Sequence, residues 1–243
     1  MIADKFHVIV VGSGGTGTYF LKEFCRFIAG GHMLIKKITI IDGDIVEAKN
    51  MERQAFSEDD IGLNKAAVMA DALASAFDLN RIEAVSEYLT ELSEIEEIVD
   101  SYSIPLIIGC VDNHACRILL EEYFNKHENV IYLDSANEFS TGEVIFAYKR
   151  DNKVKSPCRS YYYPEILKSI RKVTEMSCEE LNNVSPQHIA TNMMAGNILL
   201  KEVTAILSGK SNPGMVTFDL DMYYQEFWPY SEATITKKGR FSA

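Results

Sequence analysis

Short apolar runs alternate with amphipathic segments along the first half of the chain. The apolar runs have the length of strands and occupy residues 7–11, 37–41, 82–85 and 106–109. Between them lie segments whose apolar residues have helical spacing, at 18–29, 63–77, 92–99 and 114–124. Buried strands that alternate with helices predict an α/β fold with a Rossmann-like, doubly wound and mostly parallel sheet.

The pattern becomes less regular after residue 130. It predicts two more strands at 130–133 and 142–149, then a polar break at 151–157 and weak helical character at 164–184. A long helix is predicted over 186–208, with these side chains facing inward: Ile189, Met193, Ile198, Leu199, Val203 and Leu207. Residues 214–228 alternate like one or two antiparallel strands, and 236–243 form a loose end. We therefore expect one α/β domain with a loop-rich insertion between residues 151 and 184.

Composition and charge exclude several functional classes. The 243 residues include 35 acidic and 24 basic side chains, which gives a formal net charge of −11. Such an acidic chain is not expected to bind nucleic acid or an anionic membrane. The five cysteines contain no CxxC pair, so neither a disulfide framework nor a zinc site is expected, and a reducing cytoplasm is the simplest location. No signal peptide or membrane span is expected either.

The first predicted strand ends in a glycine-rich turn. Gly12, Gly14 and Gly17 follow the strand and precede a helix, and Asp42 ends the second strand. Backbone N–H groups at a helix start approach a phosphate closely where no side chain intervenes, which is why the pattern predicts a nucleotide site. The turn does not identify the nucleotide, and a tight turn without a ligand is the alternative.

Three charged residues narrow the choice of nucleotide. A hydride-transferring enzyme has no need of Arg53 and Lys65 beside the phosphates, whereas an enzyme that splits ATP between its α and β phosphates must stabilise the departing pyrophosphate. Asp112 directly follows a predicted strand, where it could bind magnesium. Taken singly, Arg53 and Lys65 could equally be solvated ion-pair partners on the surface.

In this combination the sequence resembles the ThiF/MoeB/ubiquitin-activating enzyme superfamily. The resemblance rests on residues in the family's order: Gly12, Ser13, Gly14, Gly15, Thr16, Gly17, Asp42, Asp44, Asn50, Arg53, Gln54, Lys65, Cys110, Val111, Asp112 and Asn113. Within the superfamily it looks closest to small bacterial ThiF-like proteins, including the PRTRC type, that are encoded with a ubiquitin-like protein and a JAB-type protease. The resemblance implies one adenylation domain over 1–243: a nucleotide-binding core at 1–150, a crossover loop at 151–185, and a long helix with C-terminal strands at 186–243.

The resemblance also implies roles for these residues. Asp42 would bind the ribose of ATP, while Asn50, Arg53 and Lys65 would contact phosphates and Asp112 would hold magnesium. The rest of the nucleotide site would be formed by Gly12, Gly14, Gly15, Gly17, Asp44, Gln54 and Asn113. The implied activity is adenylation of the C-terminal carboxylate of a ubiquitin-like protein with a glycine-rich tail. Implied partners are a conjugating enzyme, a JAB-type protease and a second copy of the chain.

Cys178 is the predicted acceptor of the activated acyl group. Superfamily members that pass this group to sulfur keep a cysteine ahead of the long helix, and a thiolate is the nucleophile in such a step. An inert cysteine is the alternative, because Glu179 and Glu180 would raise the pKa of the thiol. Cys158, which precedes Arg159, is the rival nucleophile.

The sequence departs from the family pattern in two ways. Paired CxxC motifs that hold zinc are missing, so we expect the crossover region to be held by packing of these aromatic residues: Tyr161, Tyr162, Tyr163, and Phe227 or Trp228. An arginine ahead of the first strand is missing as well. Either Lys5 replaces it, a partner supplies the charge, or adenylation is slow.

Three other functions stay open from the sequence. A sulfur-carrier adenylyltransferase of the thiamine or molybdopterin type would use the same ATP site. An NAD-dependent oxidoreductase would use the same glycine turn. A degenerate ATP-binding scaffold would serve only as the partner of a second activating subunit.

Overall fold

The apolar runs of the sequence form the strands of one mixed sheet with helices on both faces. The computed structural model describes residues 5–31, 33–168 and 187–230. Its strands are β1 Phe6–Val11, β2 Ile35–Ile41, β3 Ile82–Val85, β4 Ile104–Gly109, β5 Val130–Asn137, β6 Thr141–Arg150, β7 Lys153–Ser156, β8 Gly214–Asp219 and β9 Tyr224–Pro229. Its α-helices are α1 Gly15–Ala29, α2 Lys65–Phe77, α3 Leu92–Ile98, α4 His114–Lys126, α5 Arg159–Tyr162 and α6 Ile189–Leu207. Short 3-10 helices lie at Ala48–Glu52, Glu58–Asp60 and Pro164–Lys168.

The sheet has a parallel half and an antiparallel half that meet at β5. Within the described residues the strand order is β3-β2-β1-β4-β5-β6-β8-β9, and β7 pairs with β6. β1 pairs in parallel with β2 and β4, and β4 pairs in parallel with β5. β5 then pairs antiparallel with β6. Because the chain leaves β1 toward β2 on one side and reaches β4 on the other, a crevice opens at the carboxyl ends of β1 and β4.

Successive residues of β1 enter two separate cores. Val8 and Val10 pack in the cluster that contains α1, α2 and α6, whereas Ile9 and Val11 pack in the cluster that contains α3 and α4. A strand covered on both faces has no polar positions to alternate, which explains why it appears in the sequence as a continuous apolar run. The predicted α/β fold and the antiparallel pair at the C-terminal end, β8 with β9, are confirmed.

The long helix α6 buries Ile198, Leu199 and Val203 as predicted, but its N-terminal part differs from the prediction. Ile189 and Met193 were expected in the core but are 38% and 50% exposed. The side facing α1 carries Asn192 and Gly196 instead. A Cβ at Gly196 would lie 3.1 Å from the backbone nitrogen of Phe20, so the two helices pack too closely for a large side chain there.

Two other expectations need correction. Residues 151–157 were expected to be a polar break, but four of them form the edge strand β7, whose first three side chains are exposed. The first helix begins at Gly15, three residues earlier than predicted, so the last glycines of the turn are helical. The predicted weak helix beyond residue 168 and the predicted loose end at 236–243 lie outside the described residues. Within the described part of the chain, no helix has the length and apolarity needed to cross a bilayer.

The segment after β7 is held by buried charges. Asp134, on β5, is buried and accepts hydrogen bonds from Arg117 of α4 and from Arg159 of α5. Arg159 also donates to Glu143 of β6. Packing of aromatic residues was expected to hold this segment, and Tyr161 does form T-shaped, edge-to-face ring contacts with Tyr162 and Tyr230. The aromatic contacts are partly exposed, however, whereas the arginine anchor is buried.

Replacing Arg159 tests this anchor. Arg159→Met leaves the carboxylates of Asp134 and Glu143 without one of their counter-charges, so we expect the free energy of unfolding to fall by about 3 kcal/mol. Arg26 supplies the matched control, because its ion pair with Glu23 is solvent-exposed. Arg26→Met should lower the free energy of unfolding by less than about 1 kcal/mol. Urea titrations followed by circular dichroism measure both, and equal losses in the two variants would contradict the anchor.

Candidate functional site

A cavity of about 890 Å³ opens at the carboxyl ends of the parallel strands. This volume is in the range of sites that bind small ligands. Most residues predicted for the nucleotide site line it: Gly12, Gly14, Gly15, Asp42, Asp44, Arg53, Gln54, Lys65, Asp112 and Asn113. These residues are more than 100 positions apart at the extremes, and the parallel strands bring them to one edge of the sheet.

Gly17 and Asn50, also predicted for the site, are not among the lining residues of the cavity. A Cβ at Gly17 would lie 2.1 Å from the carbonyl oxygen of Gly12, so this glycine lets α1 approach β1. Asn50 is buried, and its Oδ1 accepts a hydrogen bond of 2.9 Å from the backbone N–H of Glu47. It thereby shapes the 3-10 helix that leads into Arg53. Cys178 lies outside the described residues.

The glycine turn places the start of α1 against the cavity. Gly14 caps the helix without a side-chain hydrogen bond, and Gly14, Gly15 and Thr16 line the cavity. A helix start carries a partial positive charge, which favours anionic groups such as phosphate beside it. Nearby, Asp42 accepts hydrogen bonds at Oδ2 from the backbone N–H (2.6 Å) and the hydroxyl (2.9 Å) of Ser13. Burial raises the pKa of Asp42, and the charge of Lys65 opposes that shift.

Lys65 is a buried cation in an unfavourable position. It begins α2, where the helix dipole repels a positive charge, and its side chain is 3% exposed. Its Nζ lies 2.8 Å from Oδ2 of Asp44, and the hydroxyl of Tyr88 donates to Oδ1 of the same carboxylate. Burying a cation at a helix start does not favour folding by itself. Asp44 therefore supplies the counter-charge that this buried cation requires, at the edge of the cavity.

The opposite wall of the cavity comes from the antiparallel half of the sheet. Thr141, Gly142 and Glu143 of β6 and Thr217 of β8 line it, together with Arg159 and Tyr163. The hydroxyl of Tyr163 donates a hydrogen bond of 2.5 Å to Oε2 of Glu143, and burial raises the pKa of this tyrosine. Glu143, Arg159 and Tyr163 line the site, although no sequence motif predicts them there. The sequence signal for them was an aspartate, Asp134, that directly follows the apolar run at residues 130–133.

Two expectations about reactive or cationic groups are wrong. Cys158 was the rival nucleophile, but it is buried, and burial raises the pKa of its thiol well above the usual value. Its neighbour Arg159 contacts Asp134 and Glu143. Lys5 was a candidate replacement for the missing arginine, but it precedes β1, whereas the cavity lies beyond the end of that strand, about 20 Å away at roughly 3.3 Å per residue.

Known proteins match this chain in sequence and in fold. Over 134 residues it is 29% identical to ubiquitin-like modifier-activating enzyme 5 of Drosophila sechellia, which covers 51% of this chain and 31% of that protein. Over 159 residues it is 29% identical to the adenylyltransferase and sulfurtransferase UBA4 of Eremothecium gossypii. This match covers 65% of this chain and 33% of that protein. The chain spans about a third of the length of these curated relatives.

Solved structures share the fold. E. coli MccB, solved with ATP, superimposes with a TM-score of 0.64 at 16% identity, covering 92% of this chain and 63% of that one. PaaA gives a TM-score of 0.65 at 17% identity with the same coverage. The ThiF family matches residues 3–238, almost the whole sequence. The chain belongs to the ThiF family.

Proposed function

We propose that this chain is an adenylyltransferase that uses ATP and magnesium to activate the C-terminal carboxylate of a ubiquitin-like protein. Membership of the ThiF family supports this proposal, as do relatives whose names describe activation of ubiquitin-like modifiers. MccB has been solved both with ATP and with the peptide MccA. The main observation is the cavity in which the start of α1, Lys65 and Arg53 meet.

In the proposed reaction a carboxylate oxygen attacks the α phosphorus of ATP. The bond from that phosphorus to the bridging oxygen of the β phosphate breaks, and pyrophosphate leaves with the electron pair. The N–H groups of α1 would hold phosphate oxygens, and Lys65 and Arg53 would stabilise the charge that develops on the departing group. Asp42 retains accepting capacity for the ribose hydroxyls, since each carboxylate oxygen has two lone pairs.

Asp112 is the proposed magnesium ligand. Among the described residues no group of three His, Cys, Asp or Glu side chains is arranged to hold a metal ion by protein ligands alone. Magnesium commonly binds through one or two carboxylates together with substrate phosphates and waters. Asp112 follows β4 in the cavity wall and fits that pattern. When bound, the ion would neutralise phosphate charge.

The antiparallel half of the cavity is the proposed channel for the substrate tail. The ring of Phe218 fills the space beside Gly142, where a Cβ would lie 2.4 Å from it, so an aromatic ring covers bare backbone at this point of the wall. An extended, glycine-rich tail has no side chains to clash with such a wall. Its terminal carboxylate would reach the α phosphate in line for attack. The match to UBA4 supports a variant of this function in which the substrate is a sulfur-carrier protein.

Cys178 is the proposed acceptor after adenylation. Its thiolate would attack the acyl carbon, which forms a thioester and releases AMP. Cys25, Cys110, Cys116 and Cys158, the cysteines in the described residues, all have thiol pKa values raised by burial. None of these four is therefore suited to form a thiolate. A conjugating enzyme or a JAB-type protease would act after this step.

Pyrophosphate exchange tests the adenylation. With magnesium, ATP and ubiquitin-like proteins that end in diglycine, the wild type should exchange labelled pyrophosphate into ATP, and the same proteins without the last glycine should not support exchange. Arg53→Gln should lower the exchange rate about 100-fold, because a charged group at the developing negative charge is lost. Lys210→Gln, an exposed site after α6, is the control. Stabilisation of the chain by NADH but not by ATP in thermal unfolding would contradict the proposal.

The thioester step has its own test. A substrate adduct that dithiothreitol removes should form in the wild type and in Cys158→Ser, and it should be absent in Cys178→Ser. Mass spectrometry of the intact proteins measures it. Persistence of the adduct in Cys178→Ser, with pyrophosphate exchange unchanged, would show that Cys178 is not the acceptor.

A further inference from the structure

Polar side chains at the start of α6 connect Arg53 to the glycine turn. Nη1 of Arg53 donates a hydrogen bond of 3.2 Å to Oε1 of Gln187. The same oxygen accepts a hydrogen bond of 3.1 Å from Nδ2 of Asn192. This Nδ2 also donates a hydrogen bond of 3.3 Å to the hydroxyl of Thr16. Nδ2 of Asn137, on β5, donates a hydrogen bond of 2.7 Å to that hydroxyl. The guanidinium of Arg53 is thus connected by successive hydrogen bonds to the first turn of α1.

Asn192 occupies a position that disfavours a polar residue. It is fully buried between α6 and α1, and its Oδ1 has no hydrogen-bond partner among the described residues. A buried polar atom without a partner destabilises the folded state. Gly15 accommodates the amide, because a Cβ there would lie 2.3 Å from Oδ1. An apolar residue at 192 would avoid the loss, so the amide is better explained by its contacts with Thr16 and Gln187 than by stability.

Gln187 has the geometry of an orienting group. Its Oε1 has two lone pairs and accepts from two donors, one on Arg53 and one on Asn192. Arg53 lies in the segment between β2 and α2, whereas Gln187 precedes α6. One amide oxygen therefore links a long cationic side chain to Asn192, which contacts Thr16 in the first turn of α1.

We propose that Gln187, supported by Asn192, is a positioning residue for ATP binding. It holds the guanidinium of Arg53 next to the glycine turn, so that the cation meets the triphosphate without reorganising. This inference rests on the proposed function only in requiring that ATP binds in this cavity. It adds a residue outside the predicted site, and it does not depend on the protein substrate or on Cys178.

Nucleotide affinities test the proposal. Isothermal calorimetry with ATP and with adenosine compares the wild type, Gln187→Leu, Gln187→Glu and the control Gln225→Leu, a matched change on the exposed strand β9. Gln187→Leu should weaken ATP binding about tenfold, the scale of one hydrogen bond to a charged group, and change adenosine binding less than about twofold. Gln187→Glu should weaken ATP binding at least as much, since its carboxylate competes with the phosphates for Arg53. Gln225→Leu should leave both affinities unchanged.

A double variant separates positioning from general structure. If Gln187 acts through Arg53, then Gln187→Leu should have no further effect on ATP affinity in an Arg53→Gln background. Equal losses for ATP and adenosine, or the same tenfold loss in the Arg53→Gln background, would overturn the proposal. Tighter ATP binding by Gln187→Leu would also overturn it, because Gln187 would then hold Arg53 away from the nucleotide. Failure of the wild type to bind ATP would overturn the proposed function as well as this proposal, whereas the outcomes above overturn this proposal alone.

Discussion

A buried carboxylate at the junction of the two halves of the sheet organises this structure. Asp134 lies on β5, the strand that pairs in parallel with β4 and antiparallel with β6. Arg117 and Arg159 neutralise it from two directions, so it joins α4 and the segment after β7 to the same strand. A buried charge cluster of this kind contributes little net stability compared with an apolar core, but its directional hydrogen bonds fix geometry. Here the geometry is that of a cavity with one wall from each half of the sheet.

The cations of the cavity are also fixed in place by directional hydrogen bonds. Lys65 is held by Asp44, and Arg53 is hydrogen-bonded to Gln187. In a chain with a net charge of −11, unrestrained cations would find carboxylates elsewhere on the surface. Fixing them at the carboxyl ends of the parallel strands keeps positive charge where a triphosphate would lie. Fixed charges stabilise a developing anion without the cost of rearranging around it.

The sequence predicted the parallel half of the fold well because its strands are covered on both faces. β3 was predicted to the residue, and the glycine turn, Asp42, Lys65 and Asp112 were predicted to converge. The sequence did not predict residues whose positions depend on polar contacts with distant parts of the chain. The strand β7 has exposed side chains and no apolar pattern. Asn192 and Arg159 are buried polar residues whose partners lie far away in sequence, so no local spacing identifies them. Ile189 and Met193 have helical spacing but flank the buried polar face of α6.

The proposed reaction joins a carboxylate to the α phosphate of ATP in this cavity. The direct measurement uses a diglycine-ended ubiquitin-like protein whose terminal carboxylate is labelled with ¹⁸O, with a thiol added to release the activated acyl group. Attack at the α phosphorus transfers one carboxylate oxygen to the nucleotide, so mass spectrometry should find AMP that contains one ¹⁸O. Unlabelled AMP, or ADP formed together with labelled phosphate, would contradict the account.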